Sequence, residues 1–314
     1  MHRDREVDVV VVGSTNFDLV VKASRLPREG ETLLVENLQF FPGGKGANQA
    51  VAVARMGAKA SFLSCVGEDI IGDFLIRDLE SSGIDTAWVK RTSQRSTGCA
   101  FIMVFPDGNN CITVDPAANL VLTPADVERA REVIERADAV ASVLEVPLEV
   151  VEAAFRVARK SGTLTVLDAG PPRHVPPEIL RLADIVSPNE TELAELTGAE
   201  VSSRAAAREA AEKLLAQGVQ IVVLKLGSDG SMLVTPQGAR HFPAHHVNAV
   251  DPTAAGDAFT AAFTVEYAGG TGIEDAIRFA NAAGALAATK LGAQASLPMR
   301  HEVEAFLARG TTLK

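Results

Sequence analysis

The chain has 314 residues, room for one large α/β domain or for two domains. Hydrophobic residues make up 47% but aromatics only 5%, so the core must rest on Val, Leu, Ile and Ala, the mix of buried parallel strands under Ala-rich helices. A net charge of −10 with no long basic run disfavours a nucleic-acid partner; it does not disfavour a polyanion such as ATP, because such sites use backbone N–H groups and one or two cations rather than global charge.

Residues 1–6 are charged, carry no signal-peptide pattern and lead straight into a strand. No apolar run reaches the roughly 18–20 residues that span a bilayer, so the chain is expected to be soluble and cytoplasmic, with no membrane partner. Short apolar, β-branched runs predict strands at 7–12, 61–66, 139–144, 163–167, 185–187 and 221–226. Helical patterns fall between most of them, at 46–56, 72–82, 124–136, 148–160, 190–196 and 202–216, and the stretch 254–307 is almost wholly helical in pattern. This alternation predicts a doubly wound, mostly parallel α/β sheet.

Two segments break the alternation, about 18–42 and 97–119. The second holds two apolar runs around Pro106-Asp107-Gly108-Asn109, a hairpin signal. Paired with each other, the two insertions would make a small β-sheet lid on a single domain spanning 1–314; unrelated decoration is the alternative. The odd number of cysteines (Cys65, Cys99, Cys111) and the lack of C-x-x-C speak against disulfides or a thiolate zinc site, and all three are read as small core residues. The six histidines show no metal-ligand spacing.

Two glycine-rich segments carry chemistry. Pro42-Gly43-Gly44-Lys45-Gly46-Ala47-Asn48 is not a Walker loop, because Gly46 follows the Lys where Ser or Thr is required. Its glycines permit close backbone approach, Lys45 and Asn48 offer donors, and a helix start presents free N–H groups; an ordinary loop and helix start is the alternative. In Asp251-Pro252-Thr253-Ala254-Ala255-Gly256-Asp257, Pro and Thr precede an Ala-rich helix, and Gly256 in the first turn costs roughly 1 kcal/mol against Ala. A small residue there lets a phosphate reach the helix N-terminus, with Asp257 beside it as a base for an attacking hydroxyl. Alternatively, Asp257 is only a first-turn Asp stabilised by the helix dipole.

Together these segments resemble the two signatures of the ribokinase-like (PfkB-type) carbohydrate kinases. The resemblance covers essentially the whole chain in the family's order. It runs through Gly13-Ser14-Thr15-Asn16-Phe17-Asp18, Pro42 to Asn48, Ser96-Thr97-Gly98, Glu145, Ser187-Pro188-Asn189-Glu190-Thr191-Glu192, Leu226-Gly227, Asp251 to Asp257, and Gly292-Ala293-Gln294-Ala295-Ser296. Ala254-Ala255-Gly256-Asp257 and the closing Gly-Ala-Gln-x-Ser look more like the ribose-phosphorylating members than the fructose kinases.

The resemblance implies a three-layer α/β/α fold and ATP-dependent phosphorylation of D-ribose at O5. A kinase for deoxyribose, fructose or adenosine, or a non-catalytic sugar- or nucleotide-binding regulator, is the alternative. It implies Asp257 as general base, with the N–H groups of Ala255, Gly256 and Asp257 as the anion hole. Asn16, Asp18, Gly44, Lys45, Asn48 and Glu145 would hold the sugar. Asn189, Lys225, Gly227, Ser228, Gly256 and Asn281 would meet ATP, and Asn189 with Glu192 would serve Mg²⁺ through water. The last two also read as a helix-capping pair. K⁺ would lie among Asp251, Thr253, Ala287, Lys290, Gly292 and Ser296. A homodimer joined through the lid is also implied. Departures from the family's pattern are Lys225 in place of Thr, Pro252 in place of Thr, and Asp115-Pro116-Ala117-Ala118-Asn119, which lacks the usual Gly before Ala-Asn.

Overall fold

The structure is a computed structural model that describes residues 6–106 and 109–309. Among these residues the strands are β1 (Asp8–Val12), β2 (Asn16–Lys22), β3 (Glu36–Gly43), β4 (Lys59–Gly67), β5 (Val89–Thr92), β6 (Gly98–Val104), β7 (Asn110–Asp115), β8 (Ala139–Ser142), β9 (Leu164–Asp168), β10 (Ile185–Ser187), β11 (Ile221–Lys225), β12 (Ser231–Thr235) and β13 (Gly238–Phe242). The main sheet runs β13-β12-β11-β10-β9-β8-β1-β4-β5. It is parallel from β11 to β5, with β12 and β13 added antiparallel at one edge.

The apolar runs are continuous because both faces are covered. In β1, Val9 and Val11 pack with helices Lys45–Arg55, Ala255–Ala268, Ile273–Ala287 and Arg300–Ala308 on one face. Val10 and Val12 belong to the apolar layer on the other face, which holds helices Leu148–Ser161 and Arg204–Ala216. This is the expected three-layer α/β/α arrangement, with side chains alternating along each strand. Strand order reverses between β8 and β1, and in open parallel sheets ligands bind beyond the carboxyl ends of the strands at such a point.

The two irregular segments pair with each other in a second sheet, β3-β2-β6-β7. Each hairpin is antiparallel, and β2 joins β6 in parallel. Asn16 lies opposite Gly43 and Gly98, and Asp18 opposite Phe41 and Ala100, so Asn16 and Asp18 share one face. The expected Asp107-Gly108 turn lies outside the described residues.

Four details differ from the expectations. Strand β5, Val-Lys-Arg-Thr, carries no apolar signal and exists by edge pairing with β4. The β12–β13 hairpin, whose Met232-Leu233-Val234 run carried a readable signal, was not anticipated. The helix expected over 124–136 divides at Ala130 into Pro124–Arg129 and Arg131–Arg136. Of the cysteines only Cys65 is buried; Cys99 and Cys111 are half-buried, because they lie in the thin second sheet.

The helix Lys45–Arg55 docks on the end of β1 through two glycines. A Cβ on Gly46 would lie 2.6 Å from backbone atoms of Gly13, and one on Gly13 equally close to Gly46 Cα. Neither backbone can give way, so only glycine permits this approach, which brings Lys45, Asn48 and Gln49 to the carboxyl edge of the sheet.

Candidate active site

The starts of helices Lys45–Arg55, Glu190–Thr197 and Ala255–Ala268 meet the ends of β9 and β11 around Asp257. Asp257 sits in the first turn of its helix and is buried. Asn48 Nδ2 donates to its Oδ2 at 3.0 Å, Gln49 Nε2 donates to Oδ1 at 3.4 Å, and the Lys45 ammonium lies 3.9 Å from Oδ1. Burial pushes the Asp257 carboxyl up to about 6; Lys45 pulls it down and Asp168 pushes it further up. Such a group is ionised at neutral pH yet holds a proton better than an exposed Asp, which suits a general base. Sequence reasoning missed Gln49, whose only signal was its place beside Asn48.

The helix start beside Asp257 has no side-chain cap. The N–H of Ala255 donates to Pro252 O at 3.1 Å, whereas those of Gly256 and Asp257 reach no acceptor among the described residues. A Cβ on Gly256 would meet only Lys225, its Nζ at 3.8 Å, so the side of this turn that faces Lys225 is otherwise open. Unpaired N–H groups at a helix start with an ammonium beside them make an anion site.

Lys225 ends β11, and its Nζ lies 2.8 Å from Asp168 Oδ2 at the end of β9. The same oxygen accepts from Thr260 Oγ1 at 2.7 Å, and Oδ1 accepts from Gly170 N at 3.1 Å. Burial works to raise the Asp168 carboxyl, but Lys225 and Lys45 outweigh it and hold the group below the ordinary Asp value. Asp168 was missed because the expected strand stopped one residue short of it. An acid at the carboxyl end of a parallel strand was the readable signal.

Asn189 and Glu192 form the expected capping pair, each main-chain N–H donating to the other's side chain at 2.8 Å. Burial raises the Glu192 carboxyl. A side chain at Gly170 would fill the space between Glu192 Oε1, 2.7 Å from its Cβ position, and the Lys45 ammonium at 3.0 Å. Burial also opposes the charge on Lys45, but Asp257, Asp168, Glu192 and Glu145 surround it and raise its pKa.

Glu145 accepts from Ser14 Oγ and, at 3.0 Å, from Lys45 N. Burial, then Glu145, pushes Asp18 up to about 7, so this carboxyl holds a proton far better than an ordinary Asp and, when protonated, can donate as well as accept. Gly43 makes room for it: a Cβ there would sit 2.2 Å from Asp18 Oδ2. Asn119, fully buried, bonds Thr15 N at 3.0 Å, Thr15 O at 3.3 Å and Asn16 Oδ1 at 2.8 Å, fixing the turn between the two sheets. Ala117 keeps a φ of 38° where the resemblance expects Gly, so this substitution leaves local strain and the turn intact. Gly44, with φ of 88°, precedes the helix Lys45–Arg55. Asn48 Oδ1 is buried without a partner.

The remaining expected residues lie around this centre. Gly227 and Ser228 form an exposed turn after β11, and Asn281 donates to Phe242 O at 3.5 Å. Asp251 Oδ1 accepts from Thr253 N at 2.9 Å and Oδ2 from Gly292 N at 2.9 Å. Burial opposes ionisation there, but these bonds prevail and the group stays below the ordinary Asp value. Ala287 O accepts from Lys290 N at 3.3 Å, Lys290 Nζ turns to Glu302 at 3.2 Å, and Ser296 Oγ donates to Ala293 O at 2.8 Å. A cavity of about 900 Å³ lies at the amino ends of β1 and β4, lined by Asp8, Lys59, Trp88 and Arg131. None of the site residues lines it; converging charges and free N–H groups, not the size of a hole, mark the site.

The family described as pfkB family carbohydrate kinase matches residues 7–300. A ribokinase of Staphylococcus aureus (strain COL) is 42% identical over 94% of this chain and 98% of its own. A deoxyribokinase of Salmonella typhi is 36% identical over 96% and 99%. The structure of Arabidopsis thaliana ribokinase complexed with ribose and ATP superposes with a TM-score of 0.90 at 34% identity, covering 96% of this chain and 99% of that one.

The raised Asp257 carboxyl has a consequence for stability. At pH 8 the group is ionised in folded and unfolded chains, and only the folded one bears the burial cost. A shift from 3.8 to about 6 corresponds to about 3 kcal/mol. Asp257→Asn is therefore expected to be more stable than wild type at pH 8. The gap should close as pH falls from about 6 towards 4, where the folded state takes up the proton first. Urea unfolding at both ends of that range checks this; a variant less stable at pH 8 contradicts the assigned cause.

Proposed function

The chain belongs to the pfkB family of carbohydrate kinases, and from that premise we propose that it transfers the γ-phosphoryl group of ATP to O5 of D-ribose, giving D-ribose 5-phosphate and ADP. The observation that carries this reading is a buried carboxylate, Asp257, beside an uncapped helix start and within reach of sugar-binding amides and acids. Asn16, Asp18, Asn48 and Glu145 take the sugar hydroxyls; Asn48 Oδ1 is left over for one of them. Gly44, where a Cβ would lie 2.8 Å from backbone atoms of Thr15 and Asn16, lets the start of the helix Lys45–Arg55 close on the turn that carries Asn16. Asp257 removes the O5 proton, the oxygen bonds to the γ-phosphorus, and the bond to the β-phosphate oxygen breaks, releasing ADP. The N–H groups of Gly256 and Asp257 hold the transferring oxygens, and that of Ala255 joins them on leaving Pro252 O. Lys225, Gly227, Ser228 and Asn281 line the ATP side.

Mg²⁺ fits the Asn189–Glu192 pair. Glu192 Oε1 remains after the capping bonds, and Gly170 keeps side chains out of the space before it. When bound, Mg²⁺ neutralises phosphate charge through its water shell. K⁺ would be held at the loop closed by Asp251, a carboxylate kept below the ordinary Asp value and tied to Thr253 and Gly292, with Ala287, Lys290 and Ser296 as the further ligand positions. The K⁺ site would stiffen the turn that carries the anion hole. Three free cysteines suit a cytoplasmic protein, and among the described residues no helix is long and apolar enough to cross a membrane.

The second sheet acts as a lid, placing Asn16 and Asp18 over the sugar. It exposes Phe40 and Phe101 on one face and Ile112 and Val114 on the other, the face that Asp18 shares. Apolar side chains on both faces of so thin a sheet call for cover, and a second lid from another copy of the chain supplies it. Deoxyribose is the second reading, favoured by the Salmonella typhi relative.

A panel of ribose, deoxyribose, fructose and adenosine in a coupled ADP assay tests the substrate, with ribose expected to give the highest kcat/KM. Asp257→Asn should lose about 10²–10⁴-fold in kcat, and wild-type kcat should fall as pH drops through about 6, where Asp257 becomes protonated. Near-normal turnover of the variant, or a profile flat to pH 4.5, removes Asp257 as base. Exchanging K⁺ for Na⁺ should lower kcat, and equal rates in both ions would remove the cation site. Light scattering should give twice the mass of one chain for wild type and a single-chain mass for Ile112→Lys/Val114→Lys; a monomeric wild type defeats the lid dimer.

A further inference from the structure

We propose that Lys225 is the side-chain cation that touches the transferred phosphoryl group, and that Asp168 is the residue that positions it while tying it to the helix carrying the base. The proposal rests on the kinase reading above and assigns the polar contact at the reacting end of ATP.

The Lys225 side chain is 12% exposed, and an ammonium so placed needs partners. It has three N–H donors, but among the described residues only Asp168 Oδ2, at 2.8 Å, accepts one; Glu192 Oε2 stands off at 4.0 Å. The unspent donors lie next to the space before Gly256, whose Cβ position is 3.8 Å from Nζ. The N–H groups of Gly256 and Asp257, which also lack acceptors, border the same space. Donors from a strand end and from a helix start thus converge on one anion position. The Lys45 ammonium stands 3.9 Å from the Asp257 carboxylate and does not come within 4 Å of the Gly256 Cβ position.

Asp168 makes this convergence rigid. Its Oδ2 accepts both from Lys225 Nζ and from Thr260 Oγ1. Thr260 is fully buried and follows Asp257 by three residues, on the next turn of the same helix. One oxygen therefore fixes the distance between the ammonium and the turn bearing the base. A buried ion pair alone is weak evidence for a stabilising role, since apolar side chains of similar volume serve stability as well. The tether to the helix and the idle donors point to catalysis instead.

Lys225→Met, Asp168→Asn and the double variant test this by titration calorimetry with Mg·ATP and Mg·ADP, and by kcat. Lys225→Met is expected to weaken ATP binding at least tenfold and ADP less than twofold, because the lost contact is to the γ group. Its kcat should fall about 10²-fold. Asp168→Asn should show the same ATP-selective loss, and the double variant should be no worse than the poorer single one, since Asp168 acts through Lys225. Equal losses for ATP and ADP, no loss, or multiplying effects in the double variant overturn the proposal. Should Asp168→Asn fail to fold, Asp168→Glu replaces it: the carboxylate shifts by one methylene, and an unchanged kcat then rules out positioning. A wild type that phosphorylates no sugar defeats the ribose reading, while the ATP-over-ADP difference still decides this one.

Discussion

The contact between Asp257 and the Asn48 and Gln49 side chains joins two helices whose starts would otherwise be unrelated surfaces. It depends on the glycine-to-glycine approach of Gly46 to Gly13, which sets the helix Lys45–Arg55 against the end of β1. Without that approach neither amide reaches the carboxylate. The same docking buries Asp257, and burial raises its proton affinity. Backbone packing is therefore the physical cause of the tuned carboxyl, and local charges adjust it.

Around Asp257 the protein gathers more carboxylates than a core tolerates without cations. Asp168, Glu192 and Glu145 all act on Lys45, and Lys225 sits between Asp168 and Glu192. Burial and the two lysines divide the cluster: the lysines hold Asp168 below its ordinary value, while burial lifts Glu192 and Asp257 above theirs. Neighbouring acids pushed in opposite directions by their surroundings can take different tasks, one as a fixed anion that orients, another as a proton acceptor.

The second sheet follows the same logic with smaller forces. Asn119 pins the turn at Thr15 and Asn16, and Gly43 leaves room for the Asp18 carboxyl. Ala117 holds a left-handed φ there. The chain accepts this strain instead of moving Asn119, whose three hydrogen bonds outweigh a cost of roughly 1–2 kcal/mol.

By itself the sequence determined the layered α/β architecture, because strands buried on both faces read as unbroken apolar runs and helices as periodic ones. It also marked Asp257, Gly256, Lys45, Asn48 and the Asn189–Glu192 cap, since helix starts and close approaches demand particular residue types at fixed spacing. It marked the two irregular segments, but their parallel pairing through β2 and β6 came from contacts far apart in the chain. Only the tertiary structure decided that Lys225 faces Asp168, that Thr260 binds the same oxygen, and that Gln49 and Asn119 belong to the site. Asp168 and Lys225 stand 57 residues apart, on strands that are not neighbours in the sheet. No local pattern encodes which strand ends converge; the packing of the helices across the sheet does.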